Sequence, residues 1–287
     1  MSIRSIRLSP NIEIKILATA MLLFLAGIYL SLRDEPDLFN EFDWYDAAVV
    51  VLVGVPLTVM INGLEFMCCA RMVGRKFSIF RSLEITIVGS AANMLPVPGA
   101  SIVRILALKS TGLSLIKSTG INMLLALIWI GISFLYAGMT LLHFVDGLIA
   151  WGVIGTGGLA LLSSFWVVSY NHIHSMTYLY VVVLKFVLVL VDAARIYFCF
   201  QALGLDVLFL QASVFVVSGV MGSAVSVVPA GLGVRELVSA VLAPLIGVAA
   251  SAGFLSATLN RIAGLSTLLP IAGLLILFKK EKQREAF

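Results

Sequence analysis

This 287-residue chain is short of charge: 12% of its residues are Asp, Glu, Lys or Arg, against 61% hydrophobic. Soluble domains are about half apolar and about a quarter charged. A water-soluble globular fold is therefore excluded, and a mean hydropathy of +1.09 marks a polytopic membrane protein. Cysteine is scarcer still. Cys68, Cys69 and Cys199 all fall in apolar segments, without the even count of a disulfide framework or the spacing of a zinc site, so they read as packing residues. Histidine also numbers three. His172 and His174 sit two apart in an interfacial loop with no carboxylate or cysteine nearby, and His143 stands alone, which argues against a metal centre. The chain holds no Gly-x-Ser-x-Gly elbow, P-loop, His-Glu-x-x-His or dinucleotide fingerprint, so no cofactor is expected. Its formal charge of +4 does not point to a nucleic acid, because in a membrane protein the distribution of charge matters more than the sum.

That distribution gives a topology. Residues 12–32 are long enough to span and lack the small-residue cleavage site of a signal peptide, so this segment is expected to be retained. Arg4, Arg7 and Lys15 precede or enter it and put the N-terminus in the cytoplasm. The connection 33–46 holds six acidic residues against one arginine and suits an outer loop. A second span, 47–70, leads to Arg71, Arg75, Lys76 and Arg81 on the inside. Residues 82–95 would make a helix of roughly 20 Å, short of the ~30 Å hydrocarbon core. After a Pro/Gly break the chain meets Arg104, Lys109 and Lys117, and a re-entrant hairpin keeps these cations inside. Residues 118–142 then go outward and 148–168 return, the latter with Gly152, Gly155, Gly157 and Gly158 available for close helix contact. Residues 178–203 go out again. A second hairpin, entered from outside, covers 207–250, and a last span, 251–278, ends at Lys279, Lys280, Lys282 and Arg284.

The expected fold is therefore all-α, with about six full spans and two re-entrant broken-helix hairpins in one transmembrane domain, 1–287. The order span, span, hairpin, span occurs twice: 12–142 (hairpin 82–108) and 148–278 (hairpin 207–250). The two units start on opposite sides, so they form an inverted repeat, an architecture common among secondary transporters. Eight full spans are the alternative and fit the charges less well. Both termini are expected in the cytoplasm.

The two breaks carry the chemistry. The first runs Leu95, Pro96, Val97, Pro98, Gly99, Ala100, then Arg104; the second runs Pro229, Ala230, Gly231, Leu232, Gly233, Val234, Arg235, Glu236. Bilayer helices break only where protein or trapped water satisfies the freed backbone groups. Each second half-helix should present its N-terminus, with unpaired N–H groups and partial positive charge, toward the break. An arginine close by suits bidentate contact with a phosphate. Two such ends facing one another would form an anion site. The blander account is that Pro and Gly kink packed helices while the arginines reach the interface.

Other charges lie at depth, where ionisable residues are functional candidates by default. Lys185, Asp192 and Arg195 share one helix face, and Asp192 can pair with Arg195 at i,i+3. Arg261 sits mid-way along the last span beside Asn260, with Glu236 its most economical partner. Glu65, with Asn62 one turn earlier, lies near the cytoplasmic end of its span, where it can snorkel; Glu84 is similarly close to the interface.

The two breaks and the last span together resemble the transmembrane region of lysylphosphatidylglycerol synthases and their free-standing, flippase-like relatives. Leu95, Pro96 and Arg104 correspond to the family's first motif, although Ala100 stands where glycine is usual and Ser101 where an acid is common. Pro229, Gly231, Leu232, Gly233, Arg235 and Glu236 correspond to the second motif. Arg261 and Pro270 fit the last span. The resemblance implies movement or presentation of a charged lipid across the cytoplasmic membrane of a prokaryote, without the aminoacyl-transferase domain of the full synthases. The expected substrate-binding set is Pro96, Arg104, Asp192, Arg195, Pro229, Gly231, Gly233, Arg235, Glu236 and Arg261, with membrane lipids as partners. A lipid-modifying or glycan-assembly enzyme is a further candidate partner. A transporter is expected rather than an enzyme. The rival classes are a membrane-embedded enzyme of lipid phosphates and an accessory protein of envelope glycan or lipid synthesis.

Overall fold

The computed structural model describes residues 10–34, 41–93, 98–145, 147–170, 175–224 and 231–284. Pro96, Pro229, His172 and His174 lie outside the described residues, as do the tips of both breaks. Every regular element among the described residues is helical, as a bilayer demands of a chain that must satisfy its backbone within each segment.

Helix α1 (Pro10–Asp34) is followed by α2 (Trp44–Val49), a π-helical turn over Val50–Gly54, and α3 (Val55–Met72), which run on as one rod. Pro56 in the first turn of α3 has no N–H to return to the preceding turn, and the ladder widens just ahead of it. Helices α4 (Ile79–Ala92) and α5 (Gly99–Lys109) contain 14 and 11 residues. At 1.5 Å per residue they reach only about 21 and 17 Å. The two lie against each other: a Cβ on Gly99 would overlap the carbonyl of Ala92, and one on Gly89 would come within 3.2 Å of the Ala100 Cα.

Long helices α6 (Leu115–Leu141), α7 (Leu148–Tyr170) and α8 (Ser175–Ala202) follow. Ser78 caps α4 by accepting from the Arg81 N–H at 3.3 Å, and Ser114 caps α6 by accepting from Lys117 at 3.4 Å. A second short group comprises α9 (Phe209–Val214), α10 (Val216–Ala224), α11 (Val234–Leu242) and a 3-10 turn, Ala243–Ile246. The chain closes with α12 (Ala250–Arg284), which holds Pro270 in its interior.

Among the described residues, four stretches are long and apolar enough to cross a bilayer: Trp44–Met72, Leu115–Leu141, Leu148–Tyr170 and Ala250–Phe278. Helix α8 has the length, 28 residues, but Lys185, Asp192 and Arg195 interrupt its apolar sequence. The chain is an all-α polytopic membrane protein. Its centre is α6, 56% buried along its apolar window against 22%, 22% and 17% for the other three. Ile128 and Leu124 of α6 share a core with Phe66 and Cys69 of α3, Val181 and Val189 of α8, and Val216 of α10.

Helix α7 is peripheral, with Leu148, Trp151, Leu159, Leu162, Phe165 and Trp166 exposed for lipid. Of its four expected contact glycines, Gly157 alone meets α6, where a Cβ would stand 2.6 Å from the Leu135 nitrogen. Gly152, Gly155 and Gly158 face open space. The three cysteines are free, Cys69 and Cys199 buried and Cys68 partly so.

Candidate functional site

The described part of the second break, Gly231 to Glu236, packs against α10 and α12. Gly231 has φ +61°, and a Cβ there would overlap the carbonyl of Gly222 on α10. Glycine is thus required twice over, for the left-handed backbone and for the close approach. Gly222 itself leaves room for Arg235, whose Cβ would lie 3.0 Å from a Cβ placed on it. Gly233, also at positive φ (81°), is the N-cap of α11. Its N–H donates to Glu236 Oε2 at 2.9 Å, half of a capping box. Glu236 is fully buried and forms an ion pair with Arg261 of α12, Oε1 to Nε, at 2.7 Å. Arg261 Nη2 also donates to the Gly231 carbonyl at 2.9 Å and to Glu236 Oε2 at 3.2 Å. The pairing of Arg261 with Glu236 expected from economy of charge is therefore present. Where unpaired N–H groups are expected at the second half-helices, one N–H at each is bonded. At α11 the Glu236 carboxylate accepts from Gly233, and at α5 the Ala100 N–H donates to Asn93 Oδ1 at 2.7 Å.

A second cluster lies on α8. Arg195 pairs with Asp192 at 3.6 Å, as the i,i+3 spacing predicts. Its guanidinium is further held by Asn260 of α12, Nη2 donating to Oδ1 at 2.6 Å, and by Thr58 of α3, Nη1 donating to Oγ1 at 3.2 Å. The stem of Arg195 crosses the π-helical turn at Gly54, where a Cβ would come within 2.6 Å of its Cγ. Arg235, in the first turn of α11, is partly buried. It is within electrostatic range of Asp192, Arg195 and Arg261, and among the described residues it forms no hydrogen bond or ion pair.

The third cluster was not legible from sequence as a site. Glu65 does not snorkel. It is fully buried, 2.6 Å from Lys185 of α8 and 3.6 Å from Arg104 of α5. Arg104 Nη2 donates to Asn62 at 3.4 Å, and its guanidinium lies 6.0 Å from the Phe66 ring centre. Lys185 Nζ stands 5.5 Å from the Trp129 ring centre, a cation–π contact. Arg104 thus joins α3 and α8 rather than Arg235 and Arg261. Thr58, Asn62 and Glu65 recur at i, i+4 and i+7, so one face of α3 serves both the Arg195 and the Arg104 clusters. That polar stripe in an otherwise apolar span is the signal that could have flagged Glu65. Glu84, as expected, stays near the surface, 2.6 Å from Arg81.

The three clusters connect α5, α3, α8, α12 and α11 through charged side chains, with Glu65, Lys185, Arg195, Glu236 and Arg261 buried and Arg104, Asp192 and Arg235 partly buried. They hold five cations (Arg104, Lys185, Arg195, Arg235, Arg261) against three carboxylates (Glu65, Asp192, Glu236). Removing a charge from water costs several kcal/mol unless it is paired. An interior with two more cations than anions is chemically suited to a bound anion. No group of three or more His, Cys, Asp or Glu among the described residues is placed to hold a metal ion.

No curated protein matches the chain. Residues 171–272 match the model of the family described as lysylphosphatidylglycerol synthase TM region. The matched segment runs from just before α8 well into α12 and contains Asp192, Arg195, the whole second break and Arg261. It is through this segment, about a third of the chain, that the protein is similar to the family of the lysylphosphatidylglycerol synthase transmembrane region.

Proposed function

We propose that the protein is a lipid translocase, moving or presenting a phosphate-bearing lipid across the cytoplasmic membrane. The lipid class is an anionic or aminoacylated phospholipid or a polyprenyl-phosphate-linked lipid. The observation that carries this reading is Arg235. It stands in the first turn of α11 beside a helix break, partly buried and within electrostatic range of two ion pairs, with no hydrogen bond or ion pair of its own among the described residues. Arg235 is the group we assign to the headgroup phosphate. Arg261 and Arg195 line the same site, with Glu236 and Asp192 orienting them.

On this reading α4–α5 and α9–α11 are re-entrant hairpins in two inverted repeats, 12–142 and 148–278, and both termini are cytoplasmic. The shortness of α4 and α5 and their packing along one another support the first hairpin. Each hairpin also uses a glycine against the last turn of its first half, Gly99 on Ala92 and Gly231 on Gly222. A cleft of about 610 Å³ lies between α4, α5 and α12, lined by Ile85, Val88, Leu106 and Leu275, with Arg81 and Glu84 in its wall. It suits lateral entry of an acyl chain under a polar head.

The test is headgroup transfer in reconstituted vesicles containing labelled phosphatidylglycerol. Arg235→Gln should abolish transfer while the protein still folds. Transfer at the normal rate in that variant would sink the assignment. Recovery of a chemically altered lipid would instead favour an enzyme.

A further inference from the structure

The cluster on the hairpin-1 side has a charge balance that ion pairing alone does not explain. Glu65 is one carboxylate, and it is shared by Lys185 at 2.6 Å and Arg104 at 3.6 Å. A structural pair needs one cation for each buried carboxylate, because every additional buried charge carries its own desolvation cost. Neither Lys185 nor Arg104 has another carboxylate within ion-pair distance among the described residues, and Asp192 acts on Lys185 only at longer range. The aromatic faces of Trp129 and Phe66 offset part of this cost, and Asn62 supplies a neutral oxygen to Arg104. One positive charge remains. The cluster of Arg195, Arg235 and Arg261 against Asp192 and Glu236 also carries one in excess. The two clusters adjoin one face of α3, with Thr58 and Glu65 about 10 Å apart along the helix axis.

We infer that the chain carries a second anion site, formed by Arg104, Lys185, Glu65 and Asn62, that takes the phosphate of an anionic lipid headgroup. The inference rests on the lipid reading above and adds to it a two-station path, one station at each hairpin. Arg104 is the accessible member, its side chain 15% exposed against 5% for Lys185. The anion therefore meets Arg104 first, and Lys185 supplies the deeper charge. Each station holds one spare cation, so the fitting headgroup has net negative charge, which narrows the lipid class proposed above to its anionic members. Glu65 keeps the empty station from holding two unpaired cations.

Trp129 provides a native reporter. Replacing Trp44, Trp151 and Trp166 by Phe leaves it as the sole tryptophan. The detergent-solubilised protein is titrated with dioleoylphosphatidic acid, with dioleoylphosphatidylcholine, and separately with inorganic phosphate. Phosphatidic acid should change the Trp129 emission and phosphatidylcholine should not. Glu65→Gln, which raises the station by one charge, should tighten apparent binding about tenfold. Lys185→Gln leaves Glu65 paired with Arg104, cancels the spare charge, and should weaken binding about tenfold. The double variant should return close to the starting affinity. A structural cluster predicts instead that both single variants lose affinity or stability together, and that result overturns the inference. If Lys185→Gln does not fold, Glu65→Gln decides alone: unchanged or weaker binding overturns it. A full response to inorganic phosphate with none to phosphatidic acid overturns the lipid assignment. Failure here with transfer still abolished by Arg235→Gln leaves the translocase reading intact, whereas unaffected transfer in Arg235→Gln sinks that reading whatever Trp129 reports.

Discussion

Asn260 and Arg261 are neighbours on α12, yet they hold different partners: Asn260 Oδ1 accepts from Arg195 of α8 at 2.6 Å, while Arg261 faces Glu236 of α11 at 2.7 Å. Successive helix residues point about 100° apart, so one turn of α12 clasps two helices with two kinds of polar group. Asn260 is fully buried and Arg195 is 9% exposed. Asn260→Leu removes the acceptor and leaves the guanidinium with Asp192, Thr58 and the Asn260 main-chain oxygen. We expect a loss of about 1.5–3 kcal/mol, the range for a hydrogen bond to a charged group, seen as a lower unfolding midpoint in detergent. No change in the midpoint would show that the contact is not formed.

The Arg261–Glu236 pair should behave non-additively. Removing either partner leaves a buried charge, and Glu236→Ala or Arg261→Ala should each cost about 3–5 kcal/mol. Replacing both by apolar residues of similar volume, Glu236→Leu with Arg261→Met, removes the unpaired charge and should recover most of that loss. Headgroup transfer should stay absent in the double variant even as stability returns. Equal destabilisation in the double and single variants would mean that the pair does not act as a unit.

The contrast between Arg261 and Glu65 shows what could be read from sequence. The membrane class, the helices and the Arg261–Glu236 pairing follow from apolar runs and from the rule that a buried charge needs a partner. Glu65 misled because depth was judged from its position along a span. Its burial depends on what packs around that end of α3: Leu83 of α4 closes on Gly63, and Phe66 packs against Phe77. Such contacts between distant segments leave no local signature. The seat of Arg195 at Gly54 was equally hidden, because a π-helical turn is a consequence of packing around Pro56 rather than a sequence motif. One N–H near the start of α5 and one at the N-cap of α11 are bonded by Asn93 and Glu236, which the sequence hid because Asn93 precedes the break motif and Glu236 reads as a charge rather than as a hydrogen-bond acceptor.

Gly231 offers a test of the geometry at the second break. With φ +61° and the Gly222 carbonyl in the space of a Cβ, Gly231→Ala faces both a conformational penalty of about 1–2 kcal/mol and a collision. The carbonyl that Arg261 Nη2 uses would also move. We expect a fall in unfolding midpoint together with loss of transfer. Gly152→Ala on α7, where nothing lies within 4 Å, should leave both unchanged. Equal tolerance at the two positions would refute the close approach.

Topology can be tested at Lys109, which ends α5, and at Lys117, in the first turn of α6. If α4 and α5 form a hairpin that returns to the side it entered, both residues lie in the cytoplasm; if the pair crosses, both lie outside. Single cysteines are placed there after Cys68, Cys69 and Cys199 are changed to Ala. Cys69 and Cys199 are buried, so this background should fold with little repacking. An impermeant maleimide added to intact cells should leave Lys109→Cys and Lys117→Cys unmodified, and should label both in inverted vesicles. A cysteine at Asp43, in the acidic connection before α2, should give the opposite pattern. Labelling of Lys109→Cys from outside would turn the first break into a simple interruption of a spanning helix. It would also remove the symmetry that pairs Arg104 with Arg235 as two ends of one path.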